Sequence, residues 1–162
     1  MPFDTVFDGK EAVRMAGKRV IWAKKLPQVY KKLDEIDLIV ADHLDVGLLE
    51  LVKLRSSVLN GCAFCVDLHT QKALKEGESQ QRLFLVSTWY EAGERFTARE
   101  RAALALTDEM TELGGHGVSD EAYDEVAEHF DETEIAALMS AISMINLYNR
   151  LAVTSQLHPK ER

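Results

Sequence analysis

Residues 50–69 read Glu50-Leu-Val-Lys-Leu-Arg-Ser-Ser-Val-Leu-Asn-Gly-Cys62-Ala-Phe-Cys65-Val-Asp-Leu-His69. Asn60-Gly61 interrupts an otherwise helical pattern, so the stretch predicts one helix over about 44–59 and a second from about 62 to Gly77, where glycine supplies a C-terminal stop. At about 100° per residue, positions 62, 65 and 69 fall within about 60° of one another around the second helix. Cys65 and His69 stand at i, i+4 and can touch. Cys62 sits at the helix N-terminus, where unpaired N–H groups and the helix dipole favour an anion.

Outward from this stretch the helical period continues. The three prolines are Pro2, Pro27 and Pro159, so residues 28–158 contain none. No run of alternating β-branched residues argues for a sheet, and apolar residues recur at three- and four-residue steps. Pro27 suits the first turn of a helix carrying Tyr30, Leu33, Ile36 and Val40. A further segment covers 79–91 and ends near Gly93. Thr97–Glu100 and Asp131–Glu134 have the capping-box form, and Ser119 before Asp120 and Glu121 is a good N-cap. Leu113-Gly-Gly-His-Gly117 is the clearest loop. The last helix, about 132–154, places Ile135, Leu138, Met139, Ile142 and Ile145 on one face; Asn146 and Asn149 continue the stripe and need partners there. With no linker, repeat or low-complexity segment, the reading is an all-α helical bundle, a single domain over residues 1–162, with the Cys-x-x-Cys at the N-terminus of a core helix.

Composition bounds the partners. The chain has 162 residues and 46% hydrophobic content, enough for a core without disulfide staples. Its formal net charge of −8 repels phosphate, which argues against nucleic acid or an anionic membrane as partner. The N-terminus, MPFDTVFDGKEAVRM, carries acids where a secretory signal needs bases, and no stretch approaches a membrane span. The expected compartment is the cytoplasm. The two cysteines, Cys62 and Cys65, then read as a redox pair or as half of a metal site.

The reactive form of a cysteine is the thiolate, and an unperturbed thiol of pKa about 8.5 is only about 3% ionised at pH 7. His69 could take the proton, and a carboxylate could orient the imidazole. Glu50 reaches it if the two helices fold back antiparallel across Asn60-Gly61. Taken alone, His69 is an ordinary helix-face histidine, and Glu50, near Lys53 and Ser57, a solvated carboxylate. The flanking Leu48, Leu49, Leu51 and Val52 leave little of that helix free of apolar contact. His43, His116, His129 and His158 read as surface residues, and Met139 and Met144 as packing.

The combination resembles the AhpD-like alkylhydroperoxidases of the carboxymuconolactone decarboxylase superfamily. Their signature is a glutamate twelve residues before a Cys-x-x-Cys pair and a histidine four after it; Glu50, Cys62, Cys65 and His69 match every spacing. FTARERAALALTDEMT (96–111) with Trp89, and NLYNRLAV (146–153), also resemble single-repeat members, so the likeness covers about 45–155. It implies an all-helical fold assembled as a homotrimer or homohexamer. It further implies a peroxidatic Cys65 whose sulfenic acid closes onto Cys62, and a Glu50/His69 proton relay. Some members carry a histidine between the cysteines, where this chain has Phe64, so a softer role in dithiol–disulfide exchange with a peroxiredoxin is also credible.

Three functional readings follow. The first is a thiol-dependent peroxidase acting on a hydroperoxide substrate, with no flavin, haem or nicotinamide signature, hence an external dithiol or reductant protein as electron source. The second is the lactone decarboxylation that names the superfamily, which needs no dithiol. The third is a non-enzymatic zinc site using Cys62, Cys65, His69 and Glu50; it lacks the second ligand pair that structural zinc sites usually have.

Overall fold

A computed structural model describes residues 19–161; the acid-bearing stretch MPFDTVFDGKEAVRM lies outside them. The described residues are helical throughout their ordered elements. A short α1 (Trp22–Lys25) leads into α2 (Pro27–Ala41), and the paired α3 (Val46–Leu59) and α4 (Ala63–Lys75) follow. After α5 (Gln80–Leu85) come two 3-10 turns (Val86–Glu91 and Gly93–Arg95). The chain finishes with α6 (Ala98–Thr111), α7 (Asp120–His129) and the long α8 (Glu132–Thr154). Among these elements no helix is long and apolar enough to cross a membrane.

Helix α3 is the axis of the fold. Ten consecutive residues, Leu48 to Ser57, are buried, and the helix packs against α4, α6, α8 and the first 3-10 turn. A helix enclosed on all sides must satisfy its polar side chains internally. Each charged residue of this run does so: Glu50 meets His69, Lys53 makes a two-oxygen contact with Asp37, and Arg55 grips Asp108 and the Ser87 carbonyl. The apolar positions divide between two larger cores. One joins Leu48, Leu49 and Val52 to Ala103, Leu106, Leu138 and Ile142; the other joins Leu51 and Leu54 to Trp89, Phe96 and Leu104.

The chain reverses between α3 and α4 over three residues, Asn60, Gly61 and Cys62. Gly61 adopts φ +63°, a conformation open to glycine and costly for a residue with a Cβ. The Cys62 N–H then donates to the Ser57 carbonyl at 2.9 Å. Asn60 Nδ2 donates to both Asn146 Oδ1 (2.9 Å) and Asn149 Oδ1 (3.0 Å), tying the turn to α8. The two α8 amides therefore find their partners: Asn146 Nδ2 donates to Thr111 Oγ1, and Asn149 Nδ2 to Ser57 Oγ.

Local signals were followed closely. Thr97 and Asp131 form complete capping boxes with Glu100 and Glu134, and Ser119 caps α7. Helix α4 ends at Lys75, two residues before Gly77 at φ +93°. Two expectations are corrected. On α2 only Val40 of the expected apolar face is fully buried, and Ile36 is 45% exposed, because α2 lies at the edge of the bundle against α8 and α1. On α8, Met139 is 42% exposed while Ile135, Leu138, Ile142 and Ile145 are buried, so it lies outside the core-facing stripe. The segment 79–91 also divides, with a non-helical Thr88 (φ −129°, ψ 36°) inside the 3-10 turn that follows α5.

Candidate active site

The antiparallel α3–α4 pair brings all four singled-out residues together. Cys62 is the N-cap of α4, and its sulfur accepts the Cys65 backbone N–H at 3.3 Å. The two cysteines form a disulfide and are 1% and 3% exposed. One turn further along α4, His69 Nδ1 lies 2.7 Å from Glu50 Oε2, with both side chains buried.

The charge state of this pair follows from its surroundings. For Glu50, burial opposes ionisation, but the contact with His69 and the nearby Lys72 and Lys53 outweigh it and hold the carboxyl below its ordinary 4.5. For His69, burial dominates over the pull of Glu50 and holds the imidazole below its ordinary 6.5. At neutral pH the pair is therefore a carboxylate and a neutral imidazole. An ionised carboxylate only accepts, so Nδ1 carries the proton and donates it to Glu50. The other nitrogen, Nε2, is left as a base. This is the orientation by which a carboxylate fixes the tautomer of a working histidine.

A cleft partly open to solvent runs beside the disulfide. Its wall includes Cys65 and His69 but not Cys62. Trp22, Phe64, Leu68, Ile145, Ala152 and Leu157 make it largely apolar, and Tyr30, Asp37, Lys53 and Tyr148 add its polar part. Burial, with the carboxylates of Asp37 and Asp34, pushes the Tyr148 phenol well above its ordinary 10, so it stays protonated. Sequence reasoning missed this polar part. Lys53 did leave a signal, as a cation one turn from Glu50 within an apolar run. Asp37 left none, since its place depends on how α2 crosses α3.

The remaining histidines stand apart: His43, His116 and His158 are exposed, and His129 lies 3.5 Å from Glu125 on the surface. Among the described residues, no three His, Cys, Asp or Glu side chains gather as metal ligands. The two sulfurs are bonded to each other and the His69 Nδ1 to Glu50, so the zinc reading has no assembled donor set.

Comparison with known proteins bears on the family and the fold. Residues 16–109 match the carboxymuconolactone decarboxylase family. The chain is 41% identical over 104 residues to the uncharacterized protein YdfG of Bacillus subtilis, covering 64% of this chain and 70% of that protein. It is 30% identical over 107 residues to the uncharacterized protein YnjA of Escherichia coli, covering 66% of this chain and 58% of that protein. Among solved structures, ATU0492 of Agrobacterium tumefaciens, a protein of unknown function and candidate antioxidant defence protein AhpD, superposes with a TM-score of 0.84. It is 36% identical, and the match covers 90% of this chain and 100% of that one. The debrominase Bmp8 shares the fold at a TM-score of 0.73 and 18% identity, over 86% of this chain and 73% of that one. The match across more than half its length, the fold and the Cys-x-x-Cys pair place this chain in the carboxymuconolactone decarboxylase family, among its AhpD-like members.

Proposed function

We propose that this protein is a thiol-dependent peroxidase that reduces organic hydroperoxides through a Cys62–Cys65 disulfide cycle. The observation that carries the reading is the asymmetry of the pair: Cys65 borders the cleft together with His69, while Cys62 lies behind it at the helix N-terminus.

In the reduced protein, His69 Nε2 takes the proton of the Cys65 thiol, and Glu50 stabilises the imidazolium that results. The Cys65 thiolate attacks the distal oxygen of ROOH. The O–O bond breaks, the alkoxide recovers a proton from His69 and leaves as ROH, and Cys65 becomes a sulfenic acid. The Cys62 sulfur then attacks Cys65 Sγ, forming the disulfide and releasing water. An external dithiol attacks the cleft-side sulfur, Cys65, and returns both thiols while becoming a disulfide itself. In that step Cys62 is the leaving group. Its position at the N-terminus of α4, with the Cys65 N–H on its sulfur, favours the departing thiolate.

The test is thiol titration of reduced protein after one equivalent of cumene hydroperoxide. The expected result is loss of two thiols per chain, restored by dihydrolipoamide, and no turnover in Cys65→Ser. A Cys65→Ser variant with full peroxidase turnover would overturn the reading. A second reading, dithiol–disulfide exchange serving a peroxiredoxin, is favoured by Phe64, which leaves His69 as the only histidine at the pair. Thiols that persist with peroxide but oxidise readily with a disulfide would select it.

The protein is further proposed to assemble as a homotrimer or homohexamer. Leu26, Val29, Ile36 and Ile39 expose apolar surface around α2, as do Met139 and Val153 on α8.

A further inference from the structure

The cleft beside Cys65 holds one cation and one anion in its wall, Lys53 and Asp37, and they are spent on each other. Lys53 Nζ lies 2.9 Å and 2.8 Å from the two Asp37 carboxylate oxygens, and both residues are largely withdrawn from water. Glu50 stands behind His69 and outside the wall. The remaining wall is apolar and aromatic, with Trp22 and Phe64 among its rings.

We propose that this cleft takes uncharged hydroperoxides with an apolar, aryl-sized body and rejects those that carry a carboxylate, with Asp37 as the specificity-determining residue. An aryl body is matched by the rings and aliphatic side chains and displaces water from them. A carboxylate entering the same space would lose its hydration and find no free cation in the wall, because Lys53 is already held by both oxygens of Asp37. The selectivity rests on the reading of Cys65 as the peroxide-reducing thiol, but the binding preference of the cleft is measurable without it.

The experiment uses the oxidised, full-length protein and three probes with one body: 2-phenylpropan-2-ol, 4-(2-hydroxypropan-2-yl)benzoate and the methyl ester of that acid. Calorimetric titration is expected to show binding of the alcohol and the ester, and binding of the carboxylate at least ~10-fold weaker, since a carboxylate loses its hydration there without a counter-charge. Asp37→Asn releases the Lys53 charge and is expected to close or invert the ester-to-carboxylate ratio, whereas Asp37→Glu restores the rejection. Should Asp37→Asn fail to fold, Lys53→Gln leaves the anion alone and is expected to widen the ratio. Carboxylate binding equal to the ester, no binding of any probe, or a ratio unmoved by these variants overturns the inference. Oxidation of the reduced dithiol by cumene hydroperoxide is followed separately. A dithiol inert to it sinks the peroxidase reading and leaves the binding preference standing. Equal consumption of the ester and carboxylate hydroperoxides sinks the selectivity and leaves the peroxidase standing.

Discussion

His69 Nδ1 and Glu50 Oε2 meet at 2.7 Å across nineteen residues of chain, and both side chains are shut away from water. Neither group tolerates that burial alone, and they are unequal in what their loss leaves behind. His69→Ala strands a buried carboxylate and is expected to cost roughly 3–5 kcal/mol. Glu50→Gln keeps an acceptor for the Nδ1 proton and is expected to cost about 1–2 kcal/mol. Urea unfolding of the oxidised proteins checks the order; equal losses would show that the pair is not a carboxylate facing a neutral imidazole.

The same pair fixes how stability responds to acid. The His69 pKa is depressed in the fold, so below about 6.5 the unfolded chain binds a proton that the native one refuses, and stability is lost as the pH is lowered. The Glu50 pKa is also depressed. Its contribution is full above 4.5 and is lost as pH drops through the folded value. Both effects have one sign. The unfolding free energy is expected to be level near pH 7–8, to decline below about 6.5 and to decline further below about 4.5. A gain in stability between pH 7 and 5.5 would contradict the neutral imidazole.

A second buried contact on α3 ties the fold to its outer turns. Arg55 Nε and its second terminal nitrogen reach the two Asp108 oxygens at 2.6 and 2.9 Å, and Trp89 Nε1 donates to the same carboxylate at 3.0 Å. Asp108→Ala leaves a buried guanidinium with the Ser87 carbonyl as its main remaining acceptor. The expected loss is roughly 3 kcal/mol, near the low end for a broken buried pair because Asp108 is partly exposed. Trp89 fluorescence should shift together with the melting temperature. A melting temperature within a degree or two of the parent would mean that Arg55 is solvated by other means.

What the sequence disclosed was local. The capping boxes at Thr97 and Asp131 need only residues three apart, and both are present. The Asn60-Gly61 break permitted an antiparallel pair, and with it the Glu50–His69 approach, but the local pattern could not fix the direction of α4; the structure supplies it. The need of Asn146 and Asn149 for partners was visible from their place on an apolar stripe; that Asn60 would supply one was not. Lys53–Asp37 and Arg55–Asp108 were equally hidden, since each joins separate helices whose crossing is set by packing. The exposed side of α2 could not be told from its buried side either, as Ile36, Leu38 and Ile39 are as apolar as the residues that face inward.

That exposed side has its own consequence. Ile36 at 45%, Ile39 at 63% and Leu38 at 63% exposure are unusual neighbours on one surface helix. If copies of the chain cover them, light scattering at micromolar concentration should give a particle several times the 18.2 kDa chain. Ile36→Lys with Ile39→Lys should then return a smaller species with its helix content preserved. A clean monomer for the parent protein would contradict the assembly.

The turn that carries Cys62 is held from α8. Asn149 is fully buried and uses both ends of its amide, accepting from Asn60 Nδ2 at 3.0 Å and donating to Ser57 Oγ at 3.1 Å. Ser57 Oγ in turn donates to the Lys53 carbonyl, so it has a second partner, whereas Asn60 retains Asn146 Oδ1. Asn149→Ala therefore opens a cavity and removes two hydrogen bonds without leaving either partner wholly unsatisfied. The expected cost is about 1–3 kcal/mol. Because Asn60 and Gly61 immediately precede Cys62, the loss should also appear locally, as faster amide exchange at Gly61 and Cys62 than at the centre of α8. Uniform acceleration across the chain would instead mean that the amide serves global stability alone and does not hold the turn.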